Sequence, residues 1–330
     1  MNVVFFVRHF TERGTEVAIY DYAKYNEEIL GNHSFIVHFS EKTQQTHGFP
    51  TVKHSYPKFR SRFTILEIND ISDMRNIIKT HNIRAFYTLT HGGPRDVYQF
   101  ENKSIWGNCK TIKHCVFDTT GPESDFYISI SHTLNEKNNT NIPVVPHIVH
   151  LPDTGSDNLR ELYGIPPDAI VFGRYGAKDM LDIPAACQAI IEHVQTDPNV
   201  YFLFMNTGIF YVHSRIIYLP VNTDLEYKSR FIQTCDAMIH VGGSGETFGL
   251  SIGEFSIKNR PVITCPCGNL EHVSILQEKG IYYTSKESLL DIFRNIRTII
   301  SSRSDWNAHR EYSPEKVMAH FHNIVFRHCA

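Results

Sequence analysis

No apolar run in this 330-residue chain approaches the roughly 20 residues that a bilayer-spanning helix needs. Basic residues are not in excess either. Thirty-two Lys and Arg stand against 35 Asp and Glu, a net charge of −3. A protein that lives on phosphate backbones carries a positive surplus, so general nucleic-acid binding is excluded, while a local basic pocket for one phosphate-bearing ligand is not. Cysteine is sparse: seven residues, at positions 109, 115, 187, 235, 265, 267 and 329, follow no framework spacing. An odd, scattered set suits a reducing compartment rather than a disulfide scaffold. The apolar residues 3–7 have no basic segment ahead of them and run into Arg8, which reads as a buried strand and not as a signal peptide. Sequons at Asn32, Asn102 and Asn138 would matter only in a secretory compartment. A cytoplasmic location is expected, compatible with peripheral membrane contact.

Metal and dinucleotide signatures are missing as well. The chain has no Asp-x-Asp pair, and its nineteen histidines form neither His-x3-His nor His-Glu-x2-His. Cys265-Pro-Cys267 is half of a metal site with no second pair at ligand spacing. No metal and no cofactor is expected. The stretch from Val7 to Gly14 does not supply the Gly-x-Gly-x2-Gly turn that a dehydrogenase places after its first strand.

What is present is an ordinary globular composition, 42% apolar and 20% charged, on enough chain for about two domains. Strand-like and helix-like stretches alternate, the pattern of parallel sheets covered by helices. In the first half, strands are expected at residues 3–7, 34–39, 63–68, 83–89, 113–117 and 126–130. Helices are expected at 16–30, at 72–81 behind an Asp70 or Ser72 cap, and from about 131. The prolines of Ile142-Pro-Val-Val-Pro-His-Ile-Val-His-Leu-Pro152 break the pattern. A proline cannot feed a central ladder, so this segment reads as an edge strand followed by the linker. The alternation then restarts, with strands at 169–172, 200–205, 216–219, 237–241 and 261–264. The matching helices lie at 183–194, 225–234, 249–256, 285–301 and 313–325. The expected class is α/β, with two Rossmann-like domains whose parallel sheets face a central cleft. Their expected bounds are 1–148 and 149–312, with residues 313–330 a terminal helix packing back on the first domain.

The most informative segment is Gly242-Gly-Ser-Gly-Glu-Thr-Phe-Gly-Leu-Ser-Ile-Gly-Glu254, directly after an apolar strand and turning into a helix. Glycines let backbone approach a ligand, and N–H groups at a helix start attract anions. Glu246 is expected in the loop and Glu254 two turns inside the helix. Carboxylates accept hydrogen bonds from paired sugar hydroxyls. An anion-binding loop flanked by two of them suits a sugar joined to a diphosphate. A plain strand-to-helix turn with solvated glutamates is the competing reading, and it leaves acids at both ends of the element unexplained. Val171-Phe-Gly-Arg-Tyr-Gly-Ala-Lys178 ends the second domain's first strand, and Arg174 and Lys178 are expected to project from its mouth toward phosphate oxygens. Lys178 is as readily an exposed loop lysine.

Glu246 to Glu254 resembles the Glu-x7-Glu motif of retaining glycosyltransferases of the GT-B fold. Glu-Thr-Phe-Gly-Leu followed by Arg260-Pro-Val-Ile-Thr resembles that family's wording, and Phe172-Gly-Arg174 resembles its phosphate-binding segment. Arg13-Gly-Thr-Glu-Val17 resembles its first loop, and Val144-Val-Pro-His-Ile-Val-His150 its entry to the second domain. The resemblance implies metal-independent transfer of a hexose-like sugar from a nucleotide-diphosphate sugar to a carbohydrate-type or other hydroxyl acceptor, as in polysaccharide biosynthesis. It implies that Glu254 holds the ribose hydroxyls and Glu246 touches the donor sugar. Arg174 and Lys178 would neutralise the diphosphate, with backbone N–H groups of Thr247, Phe248, Gly249 and Leu250 completing the anion site. Lys178 departs from the family by following Arg174 after only four positions.

Weaker candidates complete the set. His91 ends a strand and is placed to meet donor sugar or acceptor, although a lone histidine there is more often structural. Gly14 and Thr15 open the first helix, where they would meet phosphate or acceptor, and Asn206 and Thr207 end a second-domain strand. An epimerase or phosphorolytic enzyme of the same architecture, and a nucleotide-sugar-binding protein without catalysis, are the alternatives.

Overall fold

The first strands are apolar on both faces, which only a sheet covered by helices on each side can bury. The computed structural model describes residues 1–93, 97–176 and 181–328. It divides into two units, Met1–Ile148 with Glu311–Ala330, and Val149–Arg310.

The first unit carries six strands: β1 (Asn2–Phe6), β2 (His33–Phe39), β3 (Thr64–Ile68), β4 (Ile83–Gly92), β5 (Lys110–Asp118) and β6 (Phe126–Ser129). All pair in parallel, in the order β3-β2-β1-β4-β5-β6. The order reverses once, between β1 and β4. Phe6, Phe39, Phe86, Tyr98, Phe100 and Trp106 fill one face of the sheet. On the helix Gly14–Glu28, Tyr22 meets Phe321 of the helix Pro314–Ile324 with ring centroids 5.1 Å apart. The expected helix at 72–81 is capped by Asp70, whose Oδ1 accepts from the Ser72 N–H at 2.9 Å. It opens as a 3₁₀ turn, Ile71–Asp73, before the α-helix Met74–His81.

The second unit repeats the plan with β7 (Ile170–Tyr175), β8 (Val200–Met205), β9 (Ile216–Leu219), β10 (Ala237–Ile239), β12 (Val262–Thr264) and β14 (Gly280–Tyr282). These too are all parallel, in the order β14-β12-β10-β7-β8-β9. A separate two-residue pair joins β11 (Gly245–Glu246) to β13 (Asn269–Leu270). Phe172, Phe202 and Phe293 pack one face of the large sheet, and Phe231, Phe255 and Leu203 the other. The fold is α/β with two six-stranded parallel sheets.

Residues 142–152 do not form the expected edge strand. Val144 makes a single bridge to Ser129, framed by Ser129 N–H to the Pro143 carbonyl at 2.9 Å and Val145 N–H to the Ser129 carbonyl at 2.8 Å. Pro143 and Pro146 have no N–H to extend the ladder, so it stops there. Among the described residues no helix is long and apolar enough to cross a membrane.

His114 lies fully buried in the first unit. The Tyr87 hydroxyl is 2.8 Å from its Nδ1, and its Nε2 is 2.9 Å from the Val145 carbonyl. A carbonyl can only accept, so Nε2 carries the proton and Nδ1 of the neutral ring accepts from Tyr87. Burial, aided by nearby His147, pulls the His114 pKa down from 6.5 to about 3, and burial alone takes His147 to about 4. Unfolding returns both to the ordinary histidine range, so between about pH 6.5 and about pH 4 the unfolded chain binds more protons. Stability therefore falls as pH falls through that window, by up to about 1.4 kcal/mol per pH unit for each histidine. Urea unfolding at about pH 7 and about pH 5 checks this. The midpoint is expected to drop at the lower pH, and His147→Phe is expected to flatten the slope.

Candidate functional site

In an open parallel sheet, ligands bind beyond the carboxyl ends of the strands where strand order reverses, because the flanking crossovers leave a crevice there. In the second unit that place is between β7 and β10. Gly173, just before Arg174, lets β7 lie close to the chain leaving the helix Leu225–Thr234, since a Cβ there would sit 2.2 Å from the Cys235 Sγ. Arg174 does not project from a strand mouth as expected. It lies within β7 at 3% exposure, and its Nη1 donates to the Thr207 Oγ1 at 2.6 Å. Asn206, in the left-handed region at φ 52°, donates its Nδ2 to the Gly176 carbonyl at 2.9 Å. Arg174, Asn206 and Thr207 are thus brought together at the ends of β7 and β8. Lys178 lies outside the described residues.

The glycine-rich segment is more tightly tied than a loop. The Gly243 N–H donates to the Asp182 Oδ1 at 2.7 Å. Gly245 has φ 62°, and a Cβ on it would meet the Cys267 and Asn269 carbonyl oxygens at 2.2 Å. Gly268, at φ 67°, would meet the Ser244 carbonyl at 2.0 Å. Only glycine permits both approaches, and they create the β11–β13 pair. Glu246 therefore sits in a strand pair and not in an open loop. Gly249, at φ 87°, turns the chain into the helix Leu250–Ile257, whose first-turn N–H groups have no acceptor within the helix. The side chains of Thr247 and Phe248 are buried, Phe248 against the His309 ring.

Glu254 is the fifth residue of that helix, one turn in rather than two. It is buried, and Lys228 Nζ donates to its Oε1 at 2.9 Å and its Oε2 at 3.3 Å. The Tyr175 hydroxyl donates to Oε2, and the Lys228 ammonium lies 5.1 Å from the Tyr175 ring centroid. The carboxylate assigned by resemblance to ribose is already the anion of a buried ion pair. Lys228 was missed because a lone lysine on an amphipathic helix reads as solvated.

Glu246 has a different partner. Its Oε1 lies 3.2 Å from the His240 Nε2, and the His240 Nδ1 lies 2.9 Å from the Thr264 Oγ1. His240 follows β10 directly and is 5% exposed, while Glu246 is about one quarter exposed. The neighbouring His272 ring, 5.4 Å away, is held neutral with its pKa lowered to about 4, first by burial and then by His240. Neither histidine stood out in the sequence, because neither falls in a recognisable motif.

In the first unit, His91 is exposed near the end of β4 and packs its ring on Phe117 at 5.2 Å. Gly14 and Thr15 open the first helix, and Thr15 donates to the Glu16 Oε1 at 3.1 Å. Glu16 is buried, accepts from the Thr11 hydroxyl at 2.7 Å, and has the His9 Nδ1 2.8 Å from Oε1. Arg8 donates to the Thr90 Oγ1 at 2.8 Å, tying β4 to the residues after β1. Cys265 and Cys267 are thiols, and among the described residues no group of three or more His, Cys, Asp or Glu side chains is arranged to hold a metal.

Three solved structures share the fold over nearly the whole length of both chains. Anabaena Alr3699/HepE in complex with UDP-glucose is 15% identical, with TM-score 0.71 and 99% of each chain covered. A glycosyltransferase from Rickettsia africae is 15% identical, with TM-score 0.68, 99% of this chain and 96% of that chain covered. A putative UDP-N-acetylglucosamine 2-epimerase from Listeria monocytogenes is 12% identical, with TM-score 0.54, 98% and 94% covered. No protein-family model and no curated protein sequence matches the chain. The chain shares the GT-B architecture of two parallel six-stranded sheets.

Removing one partner of a buried ion pair strands the other charge, which typically costs about 3–5 kcal/mol. Glu254→Ala is therefore expected to lower stability by about that amount, through Lys228. Guanidinium unfolding measures it. Joint replacement, Glu254→Met with Lys228→Met, is expected to recover most of the loss.

Proposed function

We propose that the chain transfers a hexose-like sugar from a nucleotide-diphosphate donor to a hydroxyl acceptor, with retention of configuration and without a bound metal. The observation that carries this reading is the placement, at one strand-order reversal, of a fixed guanidinium on one side and an oriented carboxylate on the other. Arg174 is the penultimate residue of β7, and Glu246 lies in β11, which follows β10, braced by His240. Departure of a nucleoside diphosphate develops negative charge, and a preset cation lowers the barrier most where charge grows. A guanidinium carries five N–H donors, so Arg174 can hold Thr207 with one and address phosphate oxygens with others. Glu246 would meet the donor sugar. Main-chain N–H groups about Gly249 and Leu250 would add to the anion site.

Glu254 fits a modified role. Its ion pair with Lys228 leaves a neutralised carboxylate, and any ribose hydroxyl must share the remaining lone pairs. Support for a uridine diphosphate donor comes from the HepE likeness, whose complex contains UDP-glucose. The acceptor is taken to be carbohydrate-like by the motif resemblance alone. Nucleotide-sugar epimerisation is the second reading, supported by the fold shared with the putative Listeria epimerase.

Incubation with a panel of UDP-, GDP- and ADP-sugars, following thermal stabilisation and release of nucleoside diphosphate, separates the readings. Transfer predicts net release of nucleoside diphosphate, and epimerisation predicts a changed sugar that is still joined to its nucleotide, with no net release. Arg174→Ala is expected to lower turnover at saturating donor by about a hundredfold, with a smaller effect on donor affinity. Arg174→Lys should recover part of it, since an ammonium keeps the charge and loses the fork. Parental turnover in Arg174→Ala would sink the phosphate role.

A further inference from the structure

Glu246 is immobilised at both ends. Its backbone is held in the β11–β13 pair, where Glu246 stands opposite Leu270 and the preceding Gly245 opposite Asn269. Its carboxylate is held through Oε1 by the His240 Nε2. Among the described residues Oε2 makes no hydrogen bond. His240 is fixed in turn: Nδ1 meets the Thr264 hydroxyl at 2.9 Å, and its carbonyl accepts from the Tyr283 hydroxyl at 3.1 Å. Thr264 ends β12, the neighbour of β10, so the chain Thr264–His240–Glu246 is anchored to two adjacent strands of the large sheet.

The donor and acceptor roles are consistent along the chain. A carboxylate accepts only, so Nε2–H must donate to Glu246. The other ring nitrogen, Nδ1, shares a 2.9 Å hydrogen bond with the Thr264 hydroxyl. His272, the other ring packed on His240, is kept neutral by burial and by His240, so it brings no competing cation to Glu246. A carboxylate that could swing would spend part of its interaction energy on being ordered by ligand, and one already oriented does not.

We propose that His240, braced by Thr264, is a positioning residue for the donor sugar, holding Glu246 so that its second oxygen meets a hydroxyl of the hexosyl group. The inference rests on the nucleotide-sugar reading above and adds to it which residue sets the geometry of the sugar end. It also separates two parts of the ligand. His240 acts through Glu246 on the sugar and has no bearing on the nucleotide.

Calorimetry with UDP and with UDP-glucose as probes tests that separation, since losing one ordered hydrogen bond to a charged group changes affinity by about tenfold. For His240→Ala, UDP-glucose affinity is expected to fall about tenfold while UDP affinity stays within about twofold. His240→Gln, which can still donate to the carboxylate, is expected to recover part of the loss. If His240→Ala does not fold, Thr264→Val carries the test, with a smaller loss confined to UDP-glucose. Equal weakening toward both probes, or none toward UDP-glucose, overturns the positioning role and leaves the function reading standing. A parent protein that binds neither UDP nor UDP-glucose, nor their GDP and ADP counterparts, overturns the function reading and this inference with it.

Discussion

Each large sheet reverses its strand order once, and that reversal is the constraint on which the site depends. Parallel strands need crossovers, and crossovers on opposite sides of the first strand leave a gap where both diverge. In the second unit the gap lies between β7 and β10. Residues far apart in sequence, Arg174 and Thr207 on one side and His240 and Glu246 on the other, come to that edge because their strands end there. The first unit has the same reversal between β1 and β4. There Arg8 reaches Thr90, and His9 and Glu16 lie in the chain that follows β1.

A covered parallel sheet has little room for uncompensated charge, and this decides between roles for the charged residues nearby. Isolated buried charges are expensive, so a buried acid is usually matched before any ligand arrives. Glu254 is matched by Lys228 and Tyr175, and Glu16 by two threonine hydroxyls and His9. Lys113, 1% exposed on β5, donates to the Gly93 carbonyl at 2.8 Å and lies 3.5 Å from the Glu123 carboxylate. Glu246 differs because its partner is a histidine ring that holds one carboxylate oxygen, and because it is the more exposed of the two motif glutamates. The two acids of one motif therefore divide into an internal and an available carboxylate. The family resemblance assigned both to ligand.

Most strands were legible because their residues are apolar on both faces and bounded by turn residues, as at 200–205 and 216–219. Legibility failed where an element is too short to show a period. The edge strand Gly280–Tyr282 has three residues, and the β11–β13 pair exists through glycine contacts that sequence spacing cannot show. It also failed at 142–152, read as an edge strand, where the prolines withheld the donors that a ladder needs. In the site, Arg174, Glu246 and Glu254 were legible as a motif. Lys228, His240 and Thr264 were not, because their significance comes from which strand or helix lies next to theirs.

The glycines join these points. At residue 245 or 268 a side chain would drive into carbonyl oxygens closer than any real Cβ contact, so β11 and β13 could no longer pair. Glu246 would then lose its backbone anchor even with His240 intact, and its carboxylate would be ordered by one hydrogen bond on a mobile loop. Orientation here needs both restraints, since a 3.2 Å hydrogen bond fixes one atom and the strand pair fixes the Cα it hangs from. Flexibility in the glycine-rich segment is thus a poor account of its composition. These glycines permit close packing, and the close packing holds the acid still.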